Sequence, residues 1–404
     1  VPLFGKYIWW KPYIYFVDKG FMLYSASLVL FTVTLGIGII SPILPILVEN
    51  MGVGGILIGL ILSSFSISRL LFLPLFGTLS DKYSKRIIIL LGLSLYSVIA
   101  FLYTAVKDPF HLIIVRFLHG MSSAMAVPVI FALVASITPP GEEGKFMGIL
   151  NRSIFFGMAF GPFVGGLLTD IIDESFAFVF MSLLSLISLL IAAVTIPEVR
   201  LKKKSHMRRA VNRRVLAAMI YRILNSIGRG SIMTFLPIYC YFIGFDYTQI
   251  GLLIFLNLIV SGIIQPYAGI FSDRRGVILP IVASNFASAL ALHMIPYSKE
   301  FTSLIALNIL LGVFSAFSIP AVSSIIAVEG KGSGNIGGLM GYFSASKSLG
   351  RALGPIIAGI LYDFGGGGVT GIHFAFSGAA FFSLMAALIF SVIIRKPERE
   401  IEIE

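Results

Sequence analysis

The chain has 404 residues, of which 57% are hydrophobic and 12% charged; its net charge is +11 and its mean hydropathy +0.97. A soluble globular domain carries about 25% charged residues, so this composition excludes one and implies a chain surrounded by lipid. The lone Cys240 excludes a disulfide framework and a cysteine metal cluster, and the five histidines lack metal-ligand spacing, so neither a metal nor a cofactor is expected.

Residues 1–23 are aromatic, carry charges throughout and lack a small-residue cleavage site. They read as an interfacial segment rather than a cleavable leader. Apolar runs able to cross a hydrocarbon core of roughly 30 Å follow. The first six lie at about 24–48, 54–77, 87–107, 110–134, 145–168 and 175–196. A basic linker, 197–214, separates them from six more, at about 215–242, 247–271, 277–298, 301–327, 336–362 and 371–394. Residues 395–404 form a tail. The expected fold is an all-α membrane protein of twelve transmembrane helices in two six-helix bundles, 24–196 and 215–394. No soluble segment is large enough to house an enzyme, and no nucleophile–base pair or paired carboxylates sit in the spans.

An even number of spans puts both termini on one side, and the basic residues say which. The loops and tails on the side of the termini hold 21 Lys and Arg; those on the other side hold two, Lys107 and Lys299. By the positive-inside rule both termini are expected in the cytoplasm, in a multi-pass protein of the cytoplasmic membrane. The run Arg200–Arg214 then reads as a retained loop beside anionic headgroups rather than a nucleic-acid site. A monomer is the expected state.

The two bundles repeat one phrase. Residues 77–86 read GTLSDKYSKR and residues 269–276 read GIFSDRRG, an offset of 192. The same offset pairs Gly36 with Gly228, Pro45 with Pro237, Gly59 with Gly251, Gly120 with Gly312 and Pro128 with Pro320. With one residue of slippage, Gly161 and Pro162 pair with Gly354 and Pro355. Two pseudo-symmetric copies place a substrate site near the midplane between them.

The doubled Gly-x-x-x-Asp-Lys/Arg phrase resembles the signature loop of the major facilitator superfamily, carried here by Gly77, Asp81, Lys82 and Arg86, then by Gly269, Asp273, Arg274 and Gly276. Three stretches add to the resemblance. Leu112 to Ala124, with Arg116 and Gly120, is similar to its second motif, with His119 where Gln is usual. Gly157, Gly161, Pro162, Gly165 and Gly166 match the motif of its antiporters. Leu35 to Pro45 resembles a pattern of twelve-helix drug–proton antiporters. The resemblance implies a secondary transporter working by alternating access, with substrate–proton antiport for export as its specific form. It also implies that Asp81 meets the start of the eleventh helix, after Gly332, when the cytoplasmic side closes, and that helix 5 is sealed tightly against a neighbour. One departure stands out: Ser84 occupies the place of Gly276 in the first copy, where a tight turn can need positive φ.

Seven cations remain within the spans: Arg69, Arg116, Arg152, Arg222, Arg229, Lys347 and Arg351. No carboxylate lies equally deep. A charge at the bilayer centre costs at least about 2.5–3.5 kcal/mol, so each must face a wet cavity, pair or snorkel. Arg152 and Arg222 sit near helix ends and are expected to snorkel. Arg69, Arg116, Arg229, Lys347 and Arg351 are the candidate substrate-binding residues, suited to a carboxylate or phosphate. His119, one turn from Arg116, is the remaining protonatable group, either coupling a proton or holding a backbone carbonyl. Three readings stay open: proton-driven efflux of a small molecule, an anion carrier or exchanger needing no proton, and a membrane receptor or scaffold without transport.

Overall fold

The computed structural model describes residues 19–139, 142–198, 212–332 and 336–395. Twelve long helices occupy them: α1 Lys19–Asn50, α2 Gly55–Lys82, α3 Lys85–Leu102, α4 Pro109–Ile137, α5 Glu143–Ile171, α6 Glu174–Thr195, α7 Arg213–Phe242, α8 Tyr247–Arg275, α9 Ile278–Met294, α10 Phe301–Gly332, α11 Ile336–Phe364 and α12 Gly368–Arg395. Ten are long and apolar enough to cross a membrane. The other two are α7 and α11, which carry Arg222, Arg229, Lys347 and Arg351; each embedded cation lowers the hydropathy of its own helix. Two expected boundaries shift. Helix α1 begins at Lys19, inside the segment expected at the interface, and α7 begins at Arg213, inside the expected linker.

Polar residues at the turns set where several helices begin. Asp108 accepts from the Phe110 and His111 amides ahead of α4, with Pro109 in the first turn. Asp173 caps α6, Asn212 caps α7, and Asp246 forms a capping box with Gln249 at α8. Each cap satisfies amides that the helix itself cannot. Prolines recur in register inside the helices: Pro45 with Pro237, Pro74 with Pro266, Pro128 with Pro320 and Pro162 with Pro355. Each removes one backbone donor and invites a bend, so bends are expected at equivalent depths in the two halves.

Within the first half, α1 packs on α5 and α6, α2 on α4, and α3 on α4 and α6; within the second, α7 packs on α11 and α12, α8 on α10, and α9 on α10 and α12. The halves meet along α2 with α11 and along α5 with α8. These pairings exchange under the twofold repeat. Small residues make the seams: Gly161 lies against Gly38, Gly165 against Ile39, and Gly354 against Gly230 and the Ile227 carbonyl. Association inside a membrane depends on such close packing, because lipid tails are as apolar as the side chains.

The two ends of the molecule differ. The end where α2 and α8 terminate carries Lys82, Lys85, Arg86, Arg274 and Arg275, and is here the basic end; the opposite, acidic end carries Glu49, Asp170, Glu174 and Asp363. At the acidic end the halves touch. A Cβ at Gly59 would strike the Pro355 carbonyl, one at Gly251 the Pro162 carbonyl, and one at Gly166 the Tyr247 backbone. Toward the basic end of the same helices, a Cβ at Gly77, Gly148 or Gly341 would meet nothing within 4 Å. The halves are therefore in contact at one end and splayed at the other.

Candidate functional site

The splay leaves a cavity of about 820 Å³ toward the basic end, walled by Asn151, Arg152, Arg222, Gln265, Lys347 and Arg351 among others. Deeper, a chamber of about 170 Å³ is lined by Ile37, Phe65, Arg116, Met158, Arg229, Met233 and Arg351. The two share Arg229 and Arg351 in their walls, together with Met158 and Leu258. Neither wall includes an Asp or Glu among the described residues.

The sequence candidates converge unevenly. Arg229 and Arg351 stand at the junction of the two chambers, Lys347 lies one helical turn from Arg351 in the wider one, and Arg116 lines the deeper one. Arg69 lines neither, yet its charge acts on Lys347 and Arg351, as do those of Arg222 and Arg229. Arg152, Arg222, Arg229, Lys347 and Arg351 thus place five like charges in the wall of the wider chamber. Arg116 is held in place: its Nη2 donates to the Leu62 carbonyl at 3.2 Å, and its guanidinium lies 4.9 Å from the Phe65 ring centroid. That contact is a cation–π pair, which holds the guanidinium without neutralising it.

Arg152 is exposed, as snorkelling would leave it, whereas Arg222 departs from that expectation. Both line the wide chamber. Arg222 is only 8% exposed and packs 5.2 Å from the Phe343 ring centroid. The α11 helix covers it, a neighbour that distance from the end of its own helix does not reveal.

His119 faces the other way. It is fully buried, with its Nδ1 3.1 Å from the Tyr103 hydroxyl and the rings of Phe65 and Tyr96 packed edge-on against it. It lines neither chamber. Its other ring nitrogen has no hydrogen-bond partner among the described residues.

At the basic turns, Arg86 donates to the Ala193 carbonyl at 2.6 Å, and Lys82 lies exposed 5.6 Å from the Tyr83 ring centroid. Asp273 and Arg274 are exposed, and Gly269 sits beside Pro320. The Ser84 departure has a structural reason. Gly276 has φ +78°, whereas Ser84 has φ −66° in an extended conformation that any residue adopts. The first turn therefore has no need of glycine. The expected contact of Asp81 with the start of α11 lies outside the described residues.

At the acidic end two carboxylates go beyond the sequence expectations. Asp363 of α11 accepts from the Gly55 and Ile56 amides at 2.6 and 2.9 Å. Asp170 of α5 accepts from the Tyr247 and Thr248 amides at 3.2 and 2.6 Å. Each closes the first turn of a helix in the opposite half. Helix α2 has no side-chain cap of its own, so Asp363 supplies it from across the interface. Two hydroxyls reinforce the contact: Tyr362 donates to Glu49 at 3.0 Å and Tyr247 to Glu174 at 2.5 Å. The signal was available in the chain, since Asp170 and Asp363 match under an offset of 193.

Comparison with known proteins agrees with this architecture. The family model described as Major Facilitator Superfamily matches residues 26–222 and again 218–404, once per half. An uncharacterized MFS-type transporter of Methanocaldococcus jannaschii is 28% identical over 371 residues, covering 89% of this chain and 94% of that one. The quinolone resistance protein NorA of Staphylococcus aureus is 27% identical over 350 residues, covering 83% of this chain and 88% of its own. The crystal structure of the nucleoside transporter NupG superposes with a TM-score of 0.77 at 15% identity, covering 93% of this chain and all of the other.

Proposed function

The chain belongs to the major facilitator superfamily, and on that premise we propose that it exports amphipathic organic anions across the plasma membrane by alternating access. The observation that carries this reading is the wall of the cavity: Arg116, Arg222, Arg229, Lys347 and Arg351 without one carboxylate among the described residues. Guanidinium groups present paired donors to a carboxylate, sulfonate or phosphate. The deep chamber's Ile37, Phe65, Met158 and Met233 suit an apolar body attached to such a group. The occupant brings the negative charge that the cluster lacks. Export is favoured by the likeness to a resistance protein.

The basic end is assigned to the cytoplasm by the positive-inside rule. The conformation is then open to the cytoplasm, and the acidic end is the closed external gate. Exchange of one anion for another is the coupling that this wall supports, because the site is least costly when an anion is always present. Proton antiport has His119 as its candidate, and that ring is enclosed by Phe65, Tyr96 and Tyr103.

Proteoliposomes test the reading. Carboxyfluorescein loaded inside should leave faster when an amphipathic carboxylate is supplied outside, and a pH gradient alone should not drive it. Transport of a cationic dye driven by a pH gradient, with no response to anions, would sink the proposal.

A further inference from the structure

The wide chamber reaches the lipid side of the protein between α5 and α8. Met158 of α5 lines both chambers, and Phe156 lies about 200° from it around the helix, yet Phe156 lines the wide chamber too. The same residue walls an outward groove of about 490 Å³ between α1 and α5, with Tyr24, Leu28 and Phe160. On α8, Leu258 lines both chambers, and Tyr267 lies about 180° round from it, again in the wall of the wide chamber. Tyr267 is 70% exposed, and Ile263, one turn before it in that wall, 61%. A wall that takes in opposite faces of two neighbouring helices surrounds a gap between them.

Aromatic rings seal the seam deeper in. Phe160 and Phe163 lie 5.0 and 6.1 Å from Phe255, centroid to centroid. Phe155 fills the side of Gly262, where a Cβ would strike its ring. Toward the basic end from there, a Cβ at Gly148 would meet open space. The other seam, α2 with α11, has no such gap. Under the offsets of 193 and 192, Arg152 and Phe156 correspond to Ala345 and Leu349, and Ile263 and Tyr267 to Leu71 and Leu75. None of those four lines either chamber. One seam is aliphatic at this level, and the other carries a guanidinium and two rings at the mouth of a gap.

Depth places this mouth in one leaflet. Tyr267 is eight residues from the end of α8 at Arg275, and Arg152 nine from the start of α5 at Glu143, which is about 12–14 Å along each helix. Tyrosine gathers and arginine snorkels near the headgroup boundary. We propose that the gap between α5 and α8 is a side entrance from the cytoplasmic leaflet, and that it admits anionic amphiphiles with one long apolar chain. The head group enters among Arg152, Lys347 and Arg351, which no carboxylate of the wall neutralises among the described residues. The chain passes between Phe156 and Tyr267 and stays in lipid, so its length is not limited by the volume of the chamber. A single groove, between α1 and α5, continues the gap on the lipid side, which is the reason for one chain rather than two. The inference rests on the anion reading and on the assignment of the basic end to the cytoplasm, and adds the route and the shape of the substrate.

The test uses the full chain in proteoliposomes with two anionic probes. Lysophosphatidate carrying a fluorescent dye is left in the inner leaflet by clearing the outer one with albumin, and its return to the outer leaflet is read by bleaching with dithionite. Carboxyfluorescein exchange reads the aqueous route in the same vesicles. The wild type should move both. Ile263→Trp, a change at an exposed position that fills the mouth of the gap, should slow the lysophosphatidate by about tenfold, or about 1.4 kcal/mol of barrier, and leave carboxyfluorescein exchange unchanged. Exchange of carboxyfluorescein without movement of the lysophosphatidate overturns the entrance and leaves the transport reading standing. Equal slowing of both probes, or of neither, in Ile263→Trp also overturns it. Should neither probe move, the transport reading fails, and photolabelling decides the entrance by itself. Lysophosphatidate with a diazirine on its chain should label Phe156, Ile263 or Tyr267, and excess unlabelled lysophosphatidate should suppress the labelling. Labelling absent from those residues, or suppressed as well by two-chain phosphatidylglycerol, means an ordinary bilayer lipid in the gap and overturns the proposal.

Discussion

Asp363 near the end of α11 holds the first two amides of α2, at Gly55 and Ile56, with one carboxylate oxygen on each. Asp170 repeats the arrangement on Tyr247 and Thr248. A carboxylate at a helix N-terminus both accepts orphan hydrogen bonds and opposes the positive end of the helix dipole. These two contacts tie the halves together at the acidic end, so opening that end breaks both.

Replacing both aspartates with asparagine removes the charge and keeps an acceptor. Each loss is worth about 0.3–1 kcal/mol, and the sites are distant enough for the two to add. The Asp170→Asn, Asp363→Asn double variant should shift the equilibrium toward opening of the acidic end by about fivefold. Spin labels on the exposed Leu60 and Phe364 would read this as a longer distance population. An unchanged distribution would remove these contacts from the gate.

Arg351→Gln should weaken binding of an organic anion by about tenfold, as expected for one charge-assisted contact of at least ~1.4 kcal/mol. Lys347→Gln should raise the melting temperature while lowering anion affinity, because it relieves repulsion from Arg351, Arg222, Arg69 and Arg229. Concentration-dependent uptake and a thermal melt distinguish the two effects. A fall in melting temperature for Lys347→Gln would mean that the lysine has a compensating partner.

His119→Phe should fold and transport with an unchanged pH profile. The substitution loses the Tyr103 hydrogen bond, worth about 0.5–1.5 kcal/mol, but also removes a buried ring nitrogen without a partner. Loss of pH dependence in the variant, where the wild type shows it, would restore the histidine as the proton carrier.

Glycines at the two ends should respond in opposite ways. Gly251→Val puts a side chain into the Pro162 carbonyl, so the acidic end cannot close and transport should fail in a protein that still folds. Gly77→Ala meets open space and gains helix propensity of roughly 0.5–1 kcal/mol. It should raise the melting temperature, yet slow transport if the basic end must close over Gly77. Equal transport by Gly77→Ala and wild type would show that α2 never packs tightly there.

The chain by itself determined the class, the number of long helices, the twofold repeat and the identity of the embedded cations. Those follow from hydrophobic length and from the high cost of a charge in lipid, and both are written locally in the residues. Membership of a cavity wall was only partly legible. Arg229 and Arg351 were recognisable because depth along a helix is a matter of counting. Arg222 was not, because depth says nothing of the helix packed over it, and Phe343 lies more than a hundred residues away. His119 and Arg116 share a helix and stand one turn apart, yet one is enclosed in rings and the other lines the chamber. Asp170 and Asp363 read as ordinary helix-end acids until the opposing helices were in place. Only the tertiary structure decided which end is shut and which cations share a space. Those properties belong to pairs of distant residues, and no spacing within a single helix encodes them.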